Sequence, residues 1–419
     1  MRTKPHSTGG SYDNLRASAG SWSRLIALAV GQILGWGSTF YLPVIFVDAL
    51  ARELQLSPEA VFGGVTVMLL VSAAVAMPAG IWLARTGPRR VMAVGVVLLA
   101  AGAVILGTAQ GPGSYLVAWT LFGMAAPLAL SQAAITSVRQ LFITDTRRAI
   151  GVLSIVTALT PTIVWPVFAT LEPAFGWRGC CFGVAILHLC VVLPLNVWGA
   201  PGRAPVRREP KSTRQDRSSW NGGVILLAVA FATTGLVTWG LALNIVPAAE
   251  VLGHPQQVAI AAGAVAGPAQ IVGRIVDGLL AKRVGLMAAG AGAMMLMLGG
   301  LITAALAADT SPGLFAYVAL YGVGAGVLTI VRAALPAALF GPSFAVLYGR
   351  LTALQNLASA LGPVVVAIMI GGLGLTKALG CFAAITLVSA LVFLVACCMV
   401  SSTPSRRILA SKCISQRDL

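Results

Sequence analysis

Long apolar runs without Asp, Glu, Lys or Arg alternate with short polar segments along almost the whole chain. An α-helix needs about 20 apolar residues to cross the hydrocarbon core of a bilayer, and every run reaches that length. Run 91–138 is much longer and contains Gly111-Pro112-Gly113, a turn signal that divides it into two helices. The pattern therefore predicts twelve membrane-spanning helices, numbered here as spans 1 to 12. The runs are 25–47, 60–84, 91–138, 149–171, 179–202, 218–249, 251–273, 284–308, 310–331, 351–376 and 378–405.

The composition changes the picture by excluding soluble classes of protein. Hydrophobic residues make up 58% of the chain and charged residues 10%, against about 25% charged in an average soluble domain. These values exclude a soluble globular protein, a disordered protein and a cytosolic enzyme. The net charge of +16 would favour nucleic-acid binding in a soluble protein, so the placement of the charges decides its meaning.

The positive charges indicate the orientation in the membrane. With the N-terminus inside, 25 of the 28 Lys and Arg residues lie on the inner side, and only Arg52, Arg178 and Lys377 lie outside. Cytoplasmic loops of membrane proteins carry such an excess. We therefore expect a multi-pass protein of the cytoplasmic (inner) membrane with both termini in the cytoplasm. The basic excess then reflects topology and attraction to anionic lipid, and we expect no nucleic-acid partner.

The chain shows no motif for an enzyme, a cofactor or a metal. It contains neither a phosphate-binding loop G-x-x-x-x-G-K-[ST] nor H-E-x-x-H, and the seven cysteines form no C-x-x-C. The polar segment 1–20 lacks the apolar core of a removable signal peptide. We expect no cofactor and no metal, and we expect the first apolar run to be retained.

A polar segment at 199–219, rich in Arg, Pro and Ser, divides six spans from six. The expected organisation is a cytoplasmic tail at 1–22, a six-helix bundle at 23–198, a cytoplasmic loop at 199–219, a second bundle at 220–400 and a tail at 401–419. The halves repeat: Gly80 corresponds to Gly273, Arg89-Arg90 to Lys282-Arg283, and Trp36-Gly37 to Trp239-Gly240. Repeated halves predict a substrate site near the midplane between them and alternating access by rocking.

With two repeated halves of six spans, the sequence resembles the major facilitator superfamily of secondary transporters over nearly its whole length. The most specific element is the loop between spans 2 and 3, which in that family contains a glycine, an acidic residue, a basic residue, a second glycine and paired basic residues. The chain departs from this pattern at Ala84, where the acid is expected, and at Pro88; Asp277 restores the acid in the second half. The resemblance implies a gating role for Gly80, Arg85, Gly87, Arg89, Arg90, Arg274 and Asp277.

A narrower resemblance points to the monocarboxylate and oxalate–formate branch of that superfamily. It rests on the segment from Thr146 to Gly151, on the proline-bearing span 5 and on Gly35-Trp36-Gly37. The glycine-proline signature of drug antiporters is absent from span 5. This resemblance implies a small organic anion as the substrate.

Arg332 is a charged residue inside span 10, where ionisable groups are costly and usually functional. A guanidinium can hold a carboxylate through two parallel hydrogen bonds, which makes Arg332 the candidate anion ligand. The alternative is an arginine near the cytoplasmic end that reaches the interface. Arg274 and Asp277, three residues apart on span 8, likewise form either a structural ion pair or a coupling switch.

Polar side chains on spans 1, 4, 7 and 10 are the other candidate substrate ligands, because those spans surround the cavity in the family. Each could instead stabilise helix–helix packing. They are Gln32, Trp36, Tyr41, Gln132, Trp239, Asn244, Tyr317 and Tyr321.

Two interpretations are possible for His188, and two for the cysteines of spans 6 and 12. His188 could relay protons or be hydrogen-bonded to a neighbour in the packed bundle. The cysteines could bind a trivalent metalloid or pack as small apolar residues. They are Cys180, Cys181, Cys190, Cys381, Cys397 and Cys398.

Together these features predict an all-α membrane protein with two pseudo-symmetric six-helix bundles. It would be a monomeric secondary transporter for a small organic anion such as a monocarboxylate, coupled to protons, with the bilayer and the substrate as its partners. The alternatives are efflux of a drug-like compound or trivalent metalloid, and a membrane sensor without turnover. Transport assays in proteoliposomes would separate them.

Overall fold

The computed structural model describes residues 9–142, 146–202, 222–281, 283–340 and 344–401, and these residues contain helices and no strands. The predicted all-α membrane fold is confirmed. The helices are α1 (Gly9–Gly37), α2 (Pro43–Leu54), α3 (Pro58–Thr86), α4 (Pro88–Gly107), α5 (Pro112–Ala129), α6 (Ser131–Leu141), α7 (Thr146–Thr157), α8 (Thr160–Leu187), a π-helix (His188–Val192), α9 (Leu193–Gly199), α10 (Gly222–Val251), α11 (Gln256–Ala264), α12 (Ala266–Leu280), α13 (Leu286–Ala307), α14 (Ser311–Phe340), α15 (Phe344–Leu373) and α16 (Leu375–Ser401).

The helix pattern agrees with twelve spans. Ten helical segments of the described chain are long and apolar enough to cross a membrane. One of them, Arg148–Gly199, has 52 residues and divides at Gly176, whose φ of 64° is not helical. Span 1 consists of α1 and α2, which are separated by residues 38–42. The ten segments therefore contain eleven spans, and span 1 brings the number to the expected twelve, which is consistent with the fold.

Prolines and glycines determine where several helices begin. Proline is the first residue of α2, α3, α4 and α5, a position where its missing N–H costs nothing and its fixed φ favours the helix. Gly87, between α3 and α4, has a φ of 85°, a conformation that glycine adopts without strain. The loop between spans 2 and 3 is therefore a single left-handed residue.

The chain forms two compact units, and unit 1 comprises Met1–Leu42, Val71–Thr160 and Phe168–Arg207. Its core includes Leu25, Met92 and Phe142, all of them buried. At one end the guanidinium of Arg178 donates hydrogen bonds to the carbonyl oxygens of Gly107 and Ala109, at 3.1 and 2.8 Å. These bonds satisfy carbonyls at the end of α4, which have no partner within the helix.

Unit 2 comprises Pro43–Leu70, Pro161–Val167 and Arg208–Leu419. Small residues allow close contact of its helices: a Cβ on Gly240 would lie 2.6 Å from the carbonyl oxygen of Gly362 on α15. Within this unit the Thr162 hydroxyl donates to the carbonyl oxygen of Ala264 at 2.6 Å. Backbone contact through small residues and hydroxyl bonds is the usual way in which membrane helices associate.

Helix breaks in spans 1 and 4 lie within unit 1. In span 1, residues 38–42 form turns after Gly37. In span 4, Leu130 has a φ of −95° and a ψ of −146°, which ends α5 and starts α6. Interrupted membrane helices expose backbone groups that need other partners, and the side chains that satisfy them are among the predicted site residues.

Candidate functional site

Arg332 lies on α14, in span 10, and is half-buried. Its Nε and Nη2 atoms are buried and have no hydrogen-bond partner among the described residues. No carboxylate in that part of the chain pairs with the guanidinium; the group that interacts with it electrostatically is Tyr321. An unpaired charge buried in a membrane protein costs several kcal/mol. The guanidinium thus has donors available for an anionic acceptor.

Tyr321 places a hydroxyl near this arginine. The two residues are 11 positions apart on one helix, which is about three turns and hence one face. The Tyr321 hydroxyl is buried and meets no hydrogen-bond geometry with a described group, although Thr238 of α10 lies beside it. Thr238 donates its own proton to the carbonyl oxygen of Thr234. Arg332, Tyr321 and Thr238 therefore form a polar group inside unit 2, called here the Arg332 cluster.

Tyr317 and Asn244 lie beside the Arg332 cluster in unit 2. The ring of Tyr317 contacts that of Tyr321, with 5.9 Å between centroids. The Asn244 amide donates to the carbonyl oxygens of Gly240 at 2.8 Å and Pro363 at 3.4 Å. Both residues line a cavity of about 10 Å³, which has room for about one water molecule. Their assignment as substrate ligands stays a prediction.

Gln32 and Trp36 lie on one face of α1 and bind the two sides of the span 4 break. The Gln32 amide donates to the carbonyl oxygen of Ala129 at 3.0 Å. The Trp36 indole N–H donates to the Ser131 hydroxyl at 3.1 Å. The first bond satisfies a carbonyl at the end of α5, as a helix end requires. The structure therefore gives both residues a packing role, and their predicted contact with substrate stays a prediction.

Gln132 follows the break and connects span 4 to span 2. Its amide donates to the carbonyl oxygen of Ala76 at 2.9 Å, and a Cβ on Gly80 would lie 3.2 Å from its Nε2. Tyr41 is half-buried in the turns after α1 and contacts Phe40, with ring centroids 5.0 Å apart. Trp239 is half-buried on α10. The Gln132 bond crosses from span 4 to span 2.

The predicted first-half gate forms a basic cavity on unit 1. Arg85 lies in the last turn of α3 and is exposed, Arg90 near the start of α4 is exposed, and Arg89 is half-buried. The Nε of Arg89 donates to the carbonyl oxygen of Ala200 at 3.2 Å. A cavity of about 560 Å³ is lined by Arg85, Thr86, Arg89, Arg90 and Gly202.

The second-half copy of this signature lies on α12. Arg274 and Asp277 are both half-buried, and a Cβ on Gly273 would overlap the carbonyl oxygen of Val323 on α14. Gly273 thus permits close contact between spans 8 and 10. The roles of Arg274 and Asp277 in gating or coupling stay predictions.

His188 begins the π-helix of span 6 and is fully buried. Its Nε2 lies 2.9 Å from the Ser38 hydroxyl. That hydroxyl donates to the carbonyl oxygen of Leu34 at 2.6 Å, so the imidazole donates and Ser38 accepts. This arrangement agrees with the interpretation of His188 as a hydrogen-bonded packing residue next to the span 1 break.

The described cysteines form no disulfide with one another. Among the described residues, no three His, Cys, Asp or Glu side chains come together in a way that could hold a metal ion. The fold therefore gives no support to a metalloid site in that part of the chain.

The helix breaks are what sequence reasoning missed. The turn signal Gly111-Pro112-Gly113 correctly divides run 91–138 into spans 3 and 4. The break at Leu130, inside span 4, is not predicted. Pro127 lies inside α5, three residues before Leu130, and is the signal that could have indicated it. Gly35, whose added Cβ would overlap the Leu130 side chain, permits the close contact of span 1 with this break.

Comparison with known proteins places this geometry in a family. The sequence profile of the Major Facilitator Superfamily matches residues 28–318. No curated protein matches the chain significantly. A bacterial homologue of the human lysosomal transporter Spinster, inward-facing, is similar with a TM-score of 0.70 at 15% identity, covering 90% of this chain and 97% of that one.

Two further solved structures share the fold. The nucleoside transporter NupG has a TM-score of 0.73 at 14% identity, over 89% of this chain and 98% of its own. The human organic anion transporter MFSD10 has a TM-score of 0.66 at 16% identity, over 89% and 99%. At such identities the likeness concerns the fold alone, so the substrate has to be inferred from the residues.

Proposed function

Because the chain belongs to the major facilitator superfamily and is a multi-pass membrane transporter rather than an enzyme, we propose that it carries a small organic anion bound by Arg332. The proposal includes alternating access, a cytoplasmic-membrane location and cytoplasmic termini. Tyr321, which interacts with Arg332, contributes a contact to the same substrate, and the roles of the other predicted polar ligands stay predictions. The Nε and Nη2 atoms of Arg332, which are buried without a hydrogen-bond partner among the described residues, are the observation that carries the proposal.

The charge of Arg332 favours a carboxylate. Guanidinium stays protonated at any physiological pH, so it cannot become neutral to lower its burial cost. A carboxylate brings the compensating charge and two acceptor oxygens for parallel N–H donors. The buried Nε and Nη2 atoms are two such donors along one edge of the planar guanidinium.

The surroundings favour a single carboxylate over a di-acid. The described neighbours on α14 that are buried near Arg332 are apolar, namely Leu328, Val331 and Leu335. A second carboxylate beside these three residues would lie among apolar side chains, and burying it there would cost several kcal/mol. The Tyr321 hydroxyl offers one neutral donor. A monocarboxylate with a small polar or apolar body fits this arrangement.

Direct binding to the purified full-length protein tests the proposal. Binding of labelled small monocarboxylates, screened as a panel, is measured for the wild type, Arg332→Gln and Arg332→Lys. We expect Arg332→Gln to lose at least about tenfold in affinity, which is about 1.4 kcal/mol. Arg332→Lys should recover only part of it, because a point charge lacks the planar pair of donors.

The matched control is Lys377→Gln, which removes a positive charge from an exposed position. It should bind like the wild type. Equal affinities for the wild type and Arg332→Gln toward every anion that binds would contradict the assignment of Arg332.

Proton coupling requires a titratable group, and we propose the carboxylate of Asp277 for this role. It is half-buried on α12, whereas Asp48 at the end of span 1 is exposed. Protonation neutralises a carboxylate, so the loaded and empty carrier could return with different charges. This is the basis on which a proton gradient could drive uptake.

Uptake into proteoliposomes with and without an inward proton gradient tests coupling. We expect the gradient to accelerate uptake in the wild type and in Asp48→Asn, and Asp277→Asn to lose the acceleration while retaining exchange at equal pH. Acceleration that survives in Asp277→Asn would remove Asp277 from the mechanism.

A further inference from the structure

The strongest feature outside the Arg332 cluster is the basic cavity on unit 1. Its volume is about 560 Å³, within the range of about 300–1,000 Å³ found for small-molecule pockets. Three of its five lining residues are arginines: Arg85, Arg89 and Arg90. The cavity therefore gathers positive charge at one point of the surface.

This charge has no neutralising carboxylate in the described part of the chain. Residue 84, next to Arg85, is an exposed alanine. The first turn of α4 contains no acidic residue. Arg89 is held by a neutral carbonyl, that of Ala200. Arg85 and Arg90 are exposed and line the cavity.

The start of α4 adds to the positive potential. The helix begins at Pro88, and its N-cap residue Gly87 has no side chain that could cap the helix. The first N–H groups of a helix have no partner within it and carry the positive end of the helix dipole. Arg89 and Arg90 lie in that first turn, where a positive side chain is unfavourable. An anion at this position would offset both contributions.

We propose that this cavity binds a phosphate group, supplied either by the headgroup of an anionic phospholipid or by free phosphate. Guanidinium forks match the oxygens of a phosphate through paired hydrogen bonds, and helix N-termini bind phosphate through backbone N–H groups. The site is separate from the Arg332 cluster and does not depend on the proposed substrate.

Two observations favour the lipid as the source of the phosphate. The positive-inside pattern predicts that this loop lies on the cytoplasmic side, where anionic lipids create a negative surface potential. Ile81 and Trp82, one turn before Arg85 on α3, are 44% and 37% exposed. Exposed apolar side chains next to the arginines provide a surface for acyl chains, and tryptophan favours the headgroup level of a membrane.

The test compares full-length protein, purified in detergent and delipidated, with a variant that removes two guanidinium groups. The variant is Arg85→Gln with Arg90→Gln; Arg89 is retained because it binds Ala200. The matched control is Arg139→Gln with Arg283→Gln, which removes the same charge from two exposed positions outside the cavity. Thermal unfolding of all three proteins verifies that they are folded.

Binding is measured for labelled phosphatidylglycerol, with inorganic phosphate as the competitor and phosphatidylcholine as the zwitterionic reference. We expect the Arg85/Arg90 variant to lose at least about tenfold in affinity for phosphatidylglycerol and the control to stay within about twofold. Phosphate that binds the wild type directly, and loses affinity in the variant, would identify free phosphate as the ligand. Equal losses in variant and control, or no loss in either, would overturn the proposal.

Discussion

At the residue scale, the unusual feature of this protein is a membrane arginine whose partners are missing from the described chain. Buried donors of Arg332 lack acceptors, and the nearby hydroxyl of Tyr321 lacks hydrogen-bond geometry. Unsatisfied buried polar atoms are uncommon in folded proteins and call for an explanation. A substrate carboxylate explains both with one ligand.

Replacing Tyr321 with phenylalanine separates substrate binding from packing. Because the hydroxyl meets no hydrogen-bond geometry with a described group, Tyr321→Phe should leave the thermal unfolding temperature unchanged or slightly raised. If the hydroxyl donates to the substrate, affinity should fall about three- to tenfold, the loss of one hydrogen bond of about 1 kcal/mol. Unfolding in detergent and binding of the same anion measure the two effects.

Tyr317→Phe serves as the comparison for this prediction, since Tyr317 lines the separate cavity of about 10 Å³. It should leave anion affinity unchanged. A fall in stability of Tyr321→Phe without a change in affinity would assign Tyr321 to packing.

The sequence could indicate Arg332 because a charge in an apolar run is visible without a structure. The sequence could not distinguish the polar side chains that donate to backbone carbonyl oxygens from those that have no hydrogen-bond partner in the fold. Gln32, Gln132 and Asn244 all donate to carbonyl oxygens of neighbouring spans. Their partners lie far away in the sequence, so no local pattern distinguishes these glutamines and this asparagine from substrate ligands.

At the element scale, the interrupted helices determine what the polar side chains do. Span 4 breaks at Leu130, and Gln32 from span 1 satisfies a carbonyl at that break. Span 1 itself breaks after Gly37, where His188 donates to Ser38. Polar residues in these spans therefore stabilise breaks in their neighbours.

Removing the Gln32 amide should destabilise the fold. In Gln32→Leu, the carbonyl of Ala129 would be buried without its partner, at a cost of about 1–3 kcal/mol. We expect a lower unfolding temperature in detergent than for Gln257→Leu, which alters an exposed glutamine on α11. Unchanged stability in Gln32→Leu would show that this bond does not hold the break.

The left-handed glycine between α3 and α4 provides a second test of an element. An alanine at a φ of 85° is strained by about 1–2 kcal/mol, so Gly87→Ala should unfold at a lower temperature. Gly151→Ala, inside α7 with open space around its Cβ position, should unfold at the same or a higher temperature, since alanine favours helices over glycine. The reverse order of these two variants would contradict the loop conformation.

Spans were predictable as elements because each is an apolar run of sufficient length. Breaks were less predictable, since proline is tolerated within membrane helices: Pro78, Pro247 and Pro363 lie inside continuous helices, as Pro127 does near the end of α5. Whether a proline ends a helix depends on the neighbouring groups that satisfy the backbone. That information is in the tertiary contacts.

At the scale of the whole molecule, the distribution of positive charge and the family agree on a multi-pass transporter. The repeat of two halves was visible in the sequence through Gly80 and Gly273 and through Trp36 and Trp239. Orientation in the membrane rests on the positive-inside count. Segments 203–221 and 402–419 lie outside the described residues, so their predicted cytoplasmic placement has to be measured.

Reporter fusions measure that placement. A fluorescent protein that matures only in the cytoplasm, fused after residue 419 or inserted within 203–221, should fluoresce, and a periplasmic phosphatase at the same positions should be inactive. Insertion at the loop around Gly111 should give the opposite result. Phosphatase activity at the C-terminus would contradict an even number of spans with an internal N-terminus.

The most direct test of the central claim is counterflow in proteoliposomes preloaded with an unlabelled monocarboxylate. Wild-type protein should accumulate the labelled anion transiently, which requires a carrier with one saturable site, and Lys377→Gln should do the same. Arg332→Gln, reconstituted at equal density, should show no accumulation. Equal counterflow in Arg332→Gln and the wild type would contradict anion binding by Arg332.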